Sequence, residues 1–134
     1  MEALSDGFDY FITGGALGVD TWAGEIILEV KSRKQVFFEI AVPFESYNKN
    51  LEKRIVERLD KIQNAADKVT IVSRGVGFGR AFYERDHYMV DKSRRIIAVY
   101  DEWSNIKSAT YLTLQYAKKK GIEIRQIEWM HPDS

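Results

Sequence analysis

Apolar residues along this chain follow two spacings, one typical of strands and one typical of helices. Short runs of β-branched and aromatic residues, such as Val36–Val42 and Ile96–Tyr100, predict buried strands. Between these runs, apolar residues recur every three or four positions, as at Leu51, Ile55 and Leu59, which predicts amphipathic helices. The pattern predicts strands over 8–12, 36–42, 69–72, 96–100 and 122–128, and helices over about 19–30, 51–66, 81–92 and 109–120.

Strands that alternate with helices of this length indicate an α/β fold, with a mostly parallel sheet of about five strands covered by helices on both faces. In the first long helix, we expect Trp22, Ile26 and Ile27 to pack against this sheet. At 134 residues and without an internal repeat, the chain is expected to form a single domain over residues 1–134. Ligands of such sheets bind beyond the carboxyl ends of the strands.

The balance of charge argues against a protein that coats nucleic acid. Lys and Arg together number 20, as do Asp and Glu, so the formal net charge is +0, whereas such proteins usually carry a basic excess. The absence of cysteine excludes a disulfide framework, a thiolate zinc site and a cysteine nucleophile. His87 and His131 lie far apart in the sequence, and we predict neither a metal site nor a cofactor.

Nothing in the sequence predicts attachment to a membrane. No apolar run is long enough to cross one, and Met1–Asp6 lacks the basic and apolar regions of a signal peptide. We therefore expect a cytoplasmic protein without a membrane partner.

The segment Thr13–Asp20 follows a predicted strand and opens a helix, with glycine at positions 14, 15 and 18. Glycine there lets backbone amides approach a phosphate, and a helix N-terminus attracts anions. The same glycines also suit a tight strand-to-helix turn that binds nothing. Asp20, in the first turn of the helix, is placed either to orient a ribose hydroxyl or to interact with the free amides of that turn.

Two further polar segments follow predicted strands. Arg74–Arg80 places three glycines between two arginines, which suits a loop that folds over an anion and equally a solvated connection. Asp101 follows the strand 96–100, where it either recognises a hydroxyl, acts as a general base or simply starts a polar loop.

The helix that contains Arg85 carries many charges, which predicts a solvated face.

Five segments carry a combination of motifs that points to a known family. They are Phe11–Asp20, Ala41–Phe44, Tyr83–Ser93, Ile97–Asp101 and Thr113–Gly121, and they extend over nearly the whole chain. With these segments the chain resembles the YpsA-type branch of the SLOG superfamily, which groups Rossmann-like domains also found in the DNA-processing protein DprA and in the LOG cytokinin-activating enzymes. The resemblance implies a Rossmann-like three-layer sandwich with a pocket for a nucleotide-like or nucleic-acid ligand at the sheet edge.

The resemblance also implies roles for individual residues. Arg85 would face a phosphate, and Asp101 would end the central strand. The first ligand loop would comprise Gly14, Gly15, Gly18 and Asp20.

The sequence departs from the family pattern in three places. Only Met1–Gly7 precedes the first predicted strand, so we expect the usual N-terminal strand–helix unit of the family to be absent. Where relatives carry Gly-Gly-Thr before the last helix, this chain has Ile106–Thr110, so its backbone approaches a phosphate less easily and Lys107 would supply a charge instead. No residue supplies the glutamate of the LOG motif, which argues against LOG-type hydrolysis.

Together these observations predict a sensor or regulatory module that binds a nucleotide or nucleotide-derived small molecule without robust catalysis. The alternative is a protein-interaction module, phage- or prophage-encoded, that keeps the fold without the ligand and pairs its sheet with a partner strand or a second copy. Two further alternatives are binding of single-stranded nucleic acid, against which the neutral charge argues, and N-glycosidic hydrolysis with Asp20 or Asp101 as the base. The expected ligand-binding residues are Gly14, Gly15, Gly18, Asp20, Arg74, Arg80, Arg85, Asp101 and Thr110.

Overall fold

The structure, a computed structural model, describes residues 2–14, 19–44, 51–73, 78–100 and 109–128. Helices and strands alternate along the chain, which divides into two compact units, Met1–Arg85 and Asp86–Ser134. The strands are β1 (Tyr10–Thr13), β2 (Phe37–Val42), β3 (Lys68–Ile71), β4 (Arg95–Tyr100) and β5 (Glu123–Glu128). The helices are α1 (Glu2–Ser5), α2 (Val19–Lys31), α3 (Lys53–Ala65), α4 (Phe78–Asp91) and α5 (Ala109–Lys120).

The three strands of the first unit form a parallel sheet in the order β1-β2-β3, so β2 is the central strand. Alternate side chains of a strand point to the same face, which brings Phe38, Ile40 and Val42 of β2 together. These three residues form the buried core of the unit with Ile27 of α2 and Ile62 of α3. The two helices therefore cover one face of this sheet.

Helix α2 is rotated relative to the orientation that its sequence predicts. Ile27 is buried as expected, with 6% of its surface exposed, but Trp22 is 57% exposed and Ile26 is 42% exposed. The expectation that Trp22 and Ile26 pack against the sheet is therefore wrong. The buried face carries Gly24 instead, where an added Cβ would lie 3.0 Å from Cγ2 of Ile62. Because α2 approaches the core through its smallest residue, the bulky Trp22 is left on the outer face of the helix.

The opposite face of the sheet carries a polar cluster that crosses its three strands. Glu39 of β2 is buried, and its carboxylate accepts a hydrogen bond from the Tyr10 hydroxyl of β1. Its second oxygen accepts a hydrogen bond of 2.7 Å from Oγ1 of Thr70 in β3. One carboxylate therefore ties the central strand to both of its neighbours.

The turn between α3 and β3 is tied to the rest of the first unit by Asp67. One oxygen of its carboxylate accepts a hydrogen bond of 2.8 Å from the backbone N–H of Phe38, and the other lies 2.9 Å from Nζ of Lys31. The hydrogen bond from Lys31, and then that N–H, lower the pKa of Asp67 below its ordinary value of 3.8. The anionic form of Asp67 is therefore the one that stabilises this turn.

The second unit pairs β4 and β5 in parallel. On this pair, Nε of Arg95 lies 2.9 Å from a carboxylate oxygen of Glu123. Helix α5 ends as in a Schellman motif, with Gly121 at a φ of 74° and the N–H of Ile122 donating to the carbonyl of Ala117 at 3.0 Å. Gly121 therefore ends helix α5.

The α/β fold class is confirmed. Five strands are described, in sheets of three and two, every pairing among them is parallel, and helices flank them, which is consistent with a Rossmann-like fold. The short α1 is not predicted by the sequence, and α4 begins at Phe78, so the end of the predicted loop Arg74–Arg80 is helical. Among the helices of the described residues, none combines the length and the apolar character needed to cross a membrane.

Candidate functional site

The turn after β1 is built around the backbone of Gly14. Its carbonyl oxygen accepts a hydrogen bond of 2.5 Å from Nη1 of Arg85 in α4. A Cβ at position 14 would lie 2.7 Å from that nitrogen and 2.8 Å from Oδ2 of Asp20. Positive φ angles occur, among the described residues, only at Gly7 and Gly121. Position 14 therefore requires glycine for its small size, not for its conformational freedom.

Asp20 and Arg85 bring opposite charges to the same side of Gly14. Asp20 is half-buried in the first turn of α2, where the helix macrodipole favours its negative charge. Arg85 is only 7% exposed, and its guanidinium lies over the ring of Phe82, 5.4 Å from the centroid. The expectation that the charges of this helix form a solvated face is therefore wrong for Arg85. Its guanidinium holds the turn after β1 instead.

A second polar group lies at the carboxyl end of β3. Ser73 is buried, and its backbone N–H donates at 3.2 Å to the carbonyl of Pro43, the residue that follows β2. The hydroxyl of Ser73 donates to one carboxylate oxygen of Glu84, and Nε of Arg80 donates to the other at 3.0 Å. The hydrogen bond from Ser73, and then that from Arg80, lower the pKa of Glu84 below its ordinary value of 4.5. Glu84 therefore joins a buried hydroxyl to an exposed guanidinium.

Aromatic rings lie at the same end of the sheet. Phe44, which follows β2, meets Phe82 of α4 edge to face, with ring centroids 5.9 Å apart. Since Phe82 also lies under Arg85, the carboxyl ends of β1 and β2 reach one stretch of α4. The carboxyl end of β3 also reaches this stretch of α4, because Ser73 is hydrogen-bonded to Glu84. This edge thus combines two acids, two arginines and two aromatic rings.

The structure brings part of the predicted site together. Gly14, Asp20 and Arg85 converge on the turn after β1, and Arg80 lies on the same helix as Arg85. Thr110 lies in the first turn of α5, and its side chain is outside the described part of the structure. The other predicted residues lie outside the described residues, namely Gly15, Gly18, Arg74 and Asp101. A contact between any of these residues and a ligand stays a prediction.

Sequence reasoning missed Glu84 and Phe82. Ser73 starts the polar segment that the sequence places after the third predicted strand, and it does lie just beyond β3. Glu84 lies four residues after Arg80, a spacing at which opposite charges meet on a helix. Phe82 has no local signal, because its partner Phe44 comes from a distant part of the chain.

Metal chemistry finds no support in the side chains that the structure describes. Within these ranges, no group of three or more histidine, cysteine, aspartate or glutamate residues is arranged to hold a metal ion. In the second unit, His87 stacks on Tyr116 with ring centroids 3.6 Å apart. The Tyr116 hydroxyl donates to Asp91 at 2.7 Å, which raises the pKa of Tyr116. These contacts join α4 to α5 within that unit and form no ligand set.

Comparison with known proteins identifies the family of this chain. The family model described as YspA SLOG family matches residues 1–132. The chain is 30% identical over 120 residues to a UPF0398 protein of Bacillus cereus strain G9842, a match that covers 88% of this chain and 64% of that protein. It is 34% identical over 137 residues to the SPbeta prophage-derived protein YoqJ of Bacillus subtilis strain 168, covering 92% of this chain and 77% of that protein. The chain thus spans less than two thirds of the length of the first of these relatives.

Proposed function

The chain belongs to the YspA SLOG family, and from this premise we propose that it binds a nucleotide or a nucleotide-derived small molecule, as a sensor or regulatory module. The proposed site is the carboxyl end of the sheet formed by β1, β2 and β3, the edge at which ligands of parallel α/β sheets bind. The observation that carries the proposal is the arrangement of Asp20 and Arg85 around Gly14.

This arrangement suits binding because it fixes the turn after β1 before a ligand arrives. Burial of a guanidinium is costly unless the group is hydrogen-bonded, and Arg85 meets this condition through the carbonyl of Gly14. A turn that is already ordered loses little conformational entropy when it binds. The carboxylate of Asp20 accepts hydrogen bonds, which is what recognition of ribose hydroxyls requires.

Other side chains at this edge match the remaining parts of a nucleotide. Phe82 and Phe44 present aromatic rings, and a nucleobase gains free energy by stacking on such rings. Arg80 is exposed and carries a charge opposite to that of a phosphate. A hydroxyl acceptor, an aromatic surface and a cation therefore occur at one sheet edge.

Isothermal titration with AMP, ADP, ATP, ADP-ribose and a cyclic dinucleotide tests the proposal. We expect saturable binding of at least one compound and a loss of about tenfold or more in affinity in Asp20→Asn, since hydrogen bonds to a charged group contribute about 1.5–3 kcal/mol. Asp60→Asn, an exposed aspartate of α3, is the control and should bind as the wild type does. An absence of binding at millimolar concentrations of every compound would refute the proposal.

A second candidate function is protein interaction through self-association. Trp22 and Ile26 lie four residues apart on the outer face of α2, and both are partly exposed. Large apolar side chains that share an exposed face are typical of interaction surfaces. The prophage-derived name of one relative agrees with the prediction of a phage-encoded module. Sedimentation analysis tests this candidate. A dimer that dissociates in Trp22→Ser would support it, and a monomer at every concentration would argue against it.

A further inference from the structure

Near the carboxyl end of β3, hydrogen bonds join the side chains of Ser73, Glu84 and Arg80 in a line that runs from the interior to the surface. Ser73 is the buried end, fixed by its backbone hydrogen bond to Pro43, which directly follows β2. Glu84 is the middle of the line, with one oxygen on the Ser73 hydroxyl and the other on Nε of Arg80. Arg80 is the outer end, and its side chain is 75% exposed.

This line restrains an exposed arginine in a way that an ordinary surface ion pair does not. A carboxylate on a helix surface is itself free to move, so a pair formed four residues apart holds neither partner firmly. Here the carboxylate of Glu84 is held from the interior by Ser73, a residue attached to the sheet. The guanidinium of Arg80 therefore has a fixed point of attachment at its Nε edge.

The atom by which Arg80 is held decides what it can still bind. The described contact with Glu84 uses Nε. A guanidinium also presents its two terminal nitrogens as a pair, and this pair matches two oxygens of one phosphate. A guanidinium that is restrained at Nε therefore keeps an end-on fork for a phosphate.

We propose that Arg80 is the phosphate contact of the nucleotide site and that Ser73 and Glu84 are the residues that position it. This inference rests on the proposed function and adds to it that the ligand is phosphorylated. It also assigns different roles to the two arginines of α4. Arg85 holds the turn at Gly14, and Arg80 contacts the phosphate of the ligand.

The probe for the test is inorganic pyrophosphate, followed by adenosine and ADP, each titrated into the full chain. Arg80→Gln should weaken pyrophosphate binding by about tenfold or more, because it removes charge-assisted hydrogen bonds. Ser73→Ala should weaken it by about threefold, because Arg80 must then be ordered on binding. The matched controls are Arg33→Gln, an exposed arginine that also pairs with a glutamate four residues away, and Ser32→Ala.

A double-mutant cycle separates positioning from a structural role. If Ser73 acts through Arg80, Ser73→Ala has no further effect on pyrophosphate affinity in the Arg80→Gln background. Glu84→Asp provides a second route if Ser73→Ala folds poorly. It keeps the charge but shortens the side chain, so that one carboxylate no longer reaches both partners, and it should also weaken binding.

The outcomes distinguish this inference from the proposed function. Nucleotide binding that is unaffected by Arg80→Gln overturns the inference and leaves the proposed function standing. Pyrophosphate binding that depends on Arg80, without binding of any nucleoside or nucleotide, supports the phosphate contact and refutes the proposed function. Equal pyrophosphate affinity in the wild type and in Arg80→Gln, no pyrophosphate binding at all, or additive effects in the cycle each overturn the inference.

Discussion

The hydroxyl of Tyr10 in β1 donates a hydrogen bond to the carboxylate of Glu39 in β2, a side chain of which only 1% is exposed. The other carboxylate oxygen is satisfied by Thr70 in β3. A buried carboxylate is costly unless it is hydrogen-bonded, so each of these donors contributes to the stability of the sheet.

Replacement of Tyr10 by phenylalanine removes one donor while the ring is kept. We expect the free energy of unfolding to fall by about 1–2 kcal/mol, since the carboxylate of Glu39 loses a partner. Thr70→Val, which removes the other donor at nearly constant volume, should act in the same direction. Urea denaturation measures both effects, and an unchanged midpoint in both variants would show that the cluster contributes nothing to stability.

Two adjacent isoleucines of α2 test the rotation of this helix. Ile27→Ala should lower the free energy of unfolding by about 2–5 kcal/mol, because it empties a site in the core. Ile26→Ala should cost about 1 kcal/mol or less, because that side chain is partly exposed. Chemical denaturation of the pair is the measurement. Equal losses, or a larger loss for Ile26→Ala, would mean that α2 buries the other face.

Gly14→Ala tests the space that the turn after β1 requires. The new Cβ would displace Nη1 of Arg85 and Oδ2 of Asp20, both of which are ends of flexible side chains. We therefore expect a folded protein that is destabilised by about 1–3 kcal/mol, as in other overpacked sites, and that no longer binds the nucleotide found by titration. Circular dichroism and calorimetry would check the two parts, and a variant that binds normally would show that this turn is not part of the site.

The pKa of Asp67 makes stability depend on pH. Because the folded pKa lies below 3.8, Asp67 contributes stability above that pH and loses it as the pH falls through the lowered value. Asp67→Asn should therefore be less stable than the wild type at pH 6, and this difference should shrink below pH 3.8. Denaturation at a series of pH values measures the difference, with Asp60→Asn as the control. A difference that stays constant down to pH 2 would contradict the role given to the charge.

Much of the fold could be predicted because β2 and β4 are nearly continuous apolar runs, as expected of parallel strands, and the other strands are short segments rich in β-branched or aromatic residues. The strands of the structure begin and end within about two residues of those runs, and α2, α3 and α5 follow from helical spacing. The rotation of α2 could not be predicted in this way. Helical spacing assigns the largest apolar residues to the interior, whereas the face that meets the core is set by how closely Gly24 approaches Ile62.

In the candidate site, too, residues with a local sequence signal could be predicted, and residues that depend on a distant partner could not. Gly14 and Asp20 were visible in the sequence because both belong to one strand–turn–helix segment. The burial of Arg85 could not be predicted from the sequence, because its hydrogen-bond partner Gly14 lies 71 positions away in the chain. Side chains whose role depends on a partner from another element are those that the sequence leaves undetermined.

The carboxylate of Glu39 also limits how the sheet can assemble. A slip of β2 by one residue would exchange its two faces, because side chains alternate along a strand. Glu39 would then have to enter the apolar layer between the sheet and the helices α2 and α3, where Ile27 and Ile62 offer no hydrogen bond. Strand pairings in a shifted register should therefore dissociate quickly. A single register of β2 then remains stable as the chain folds.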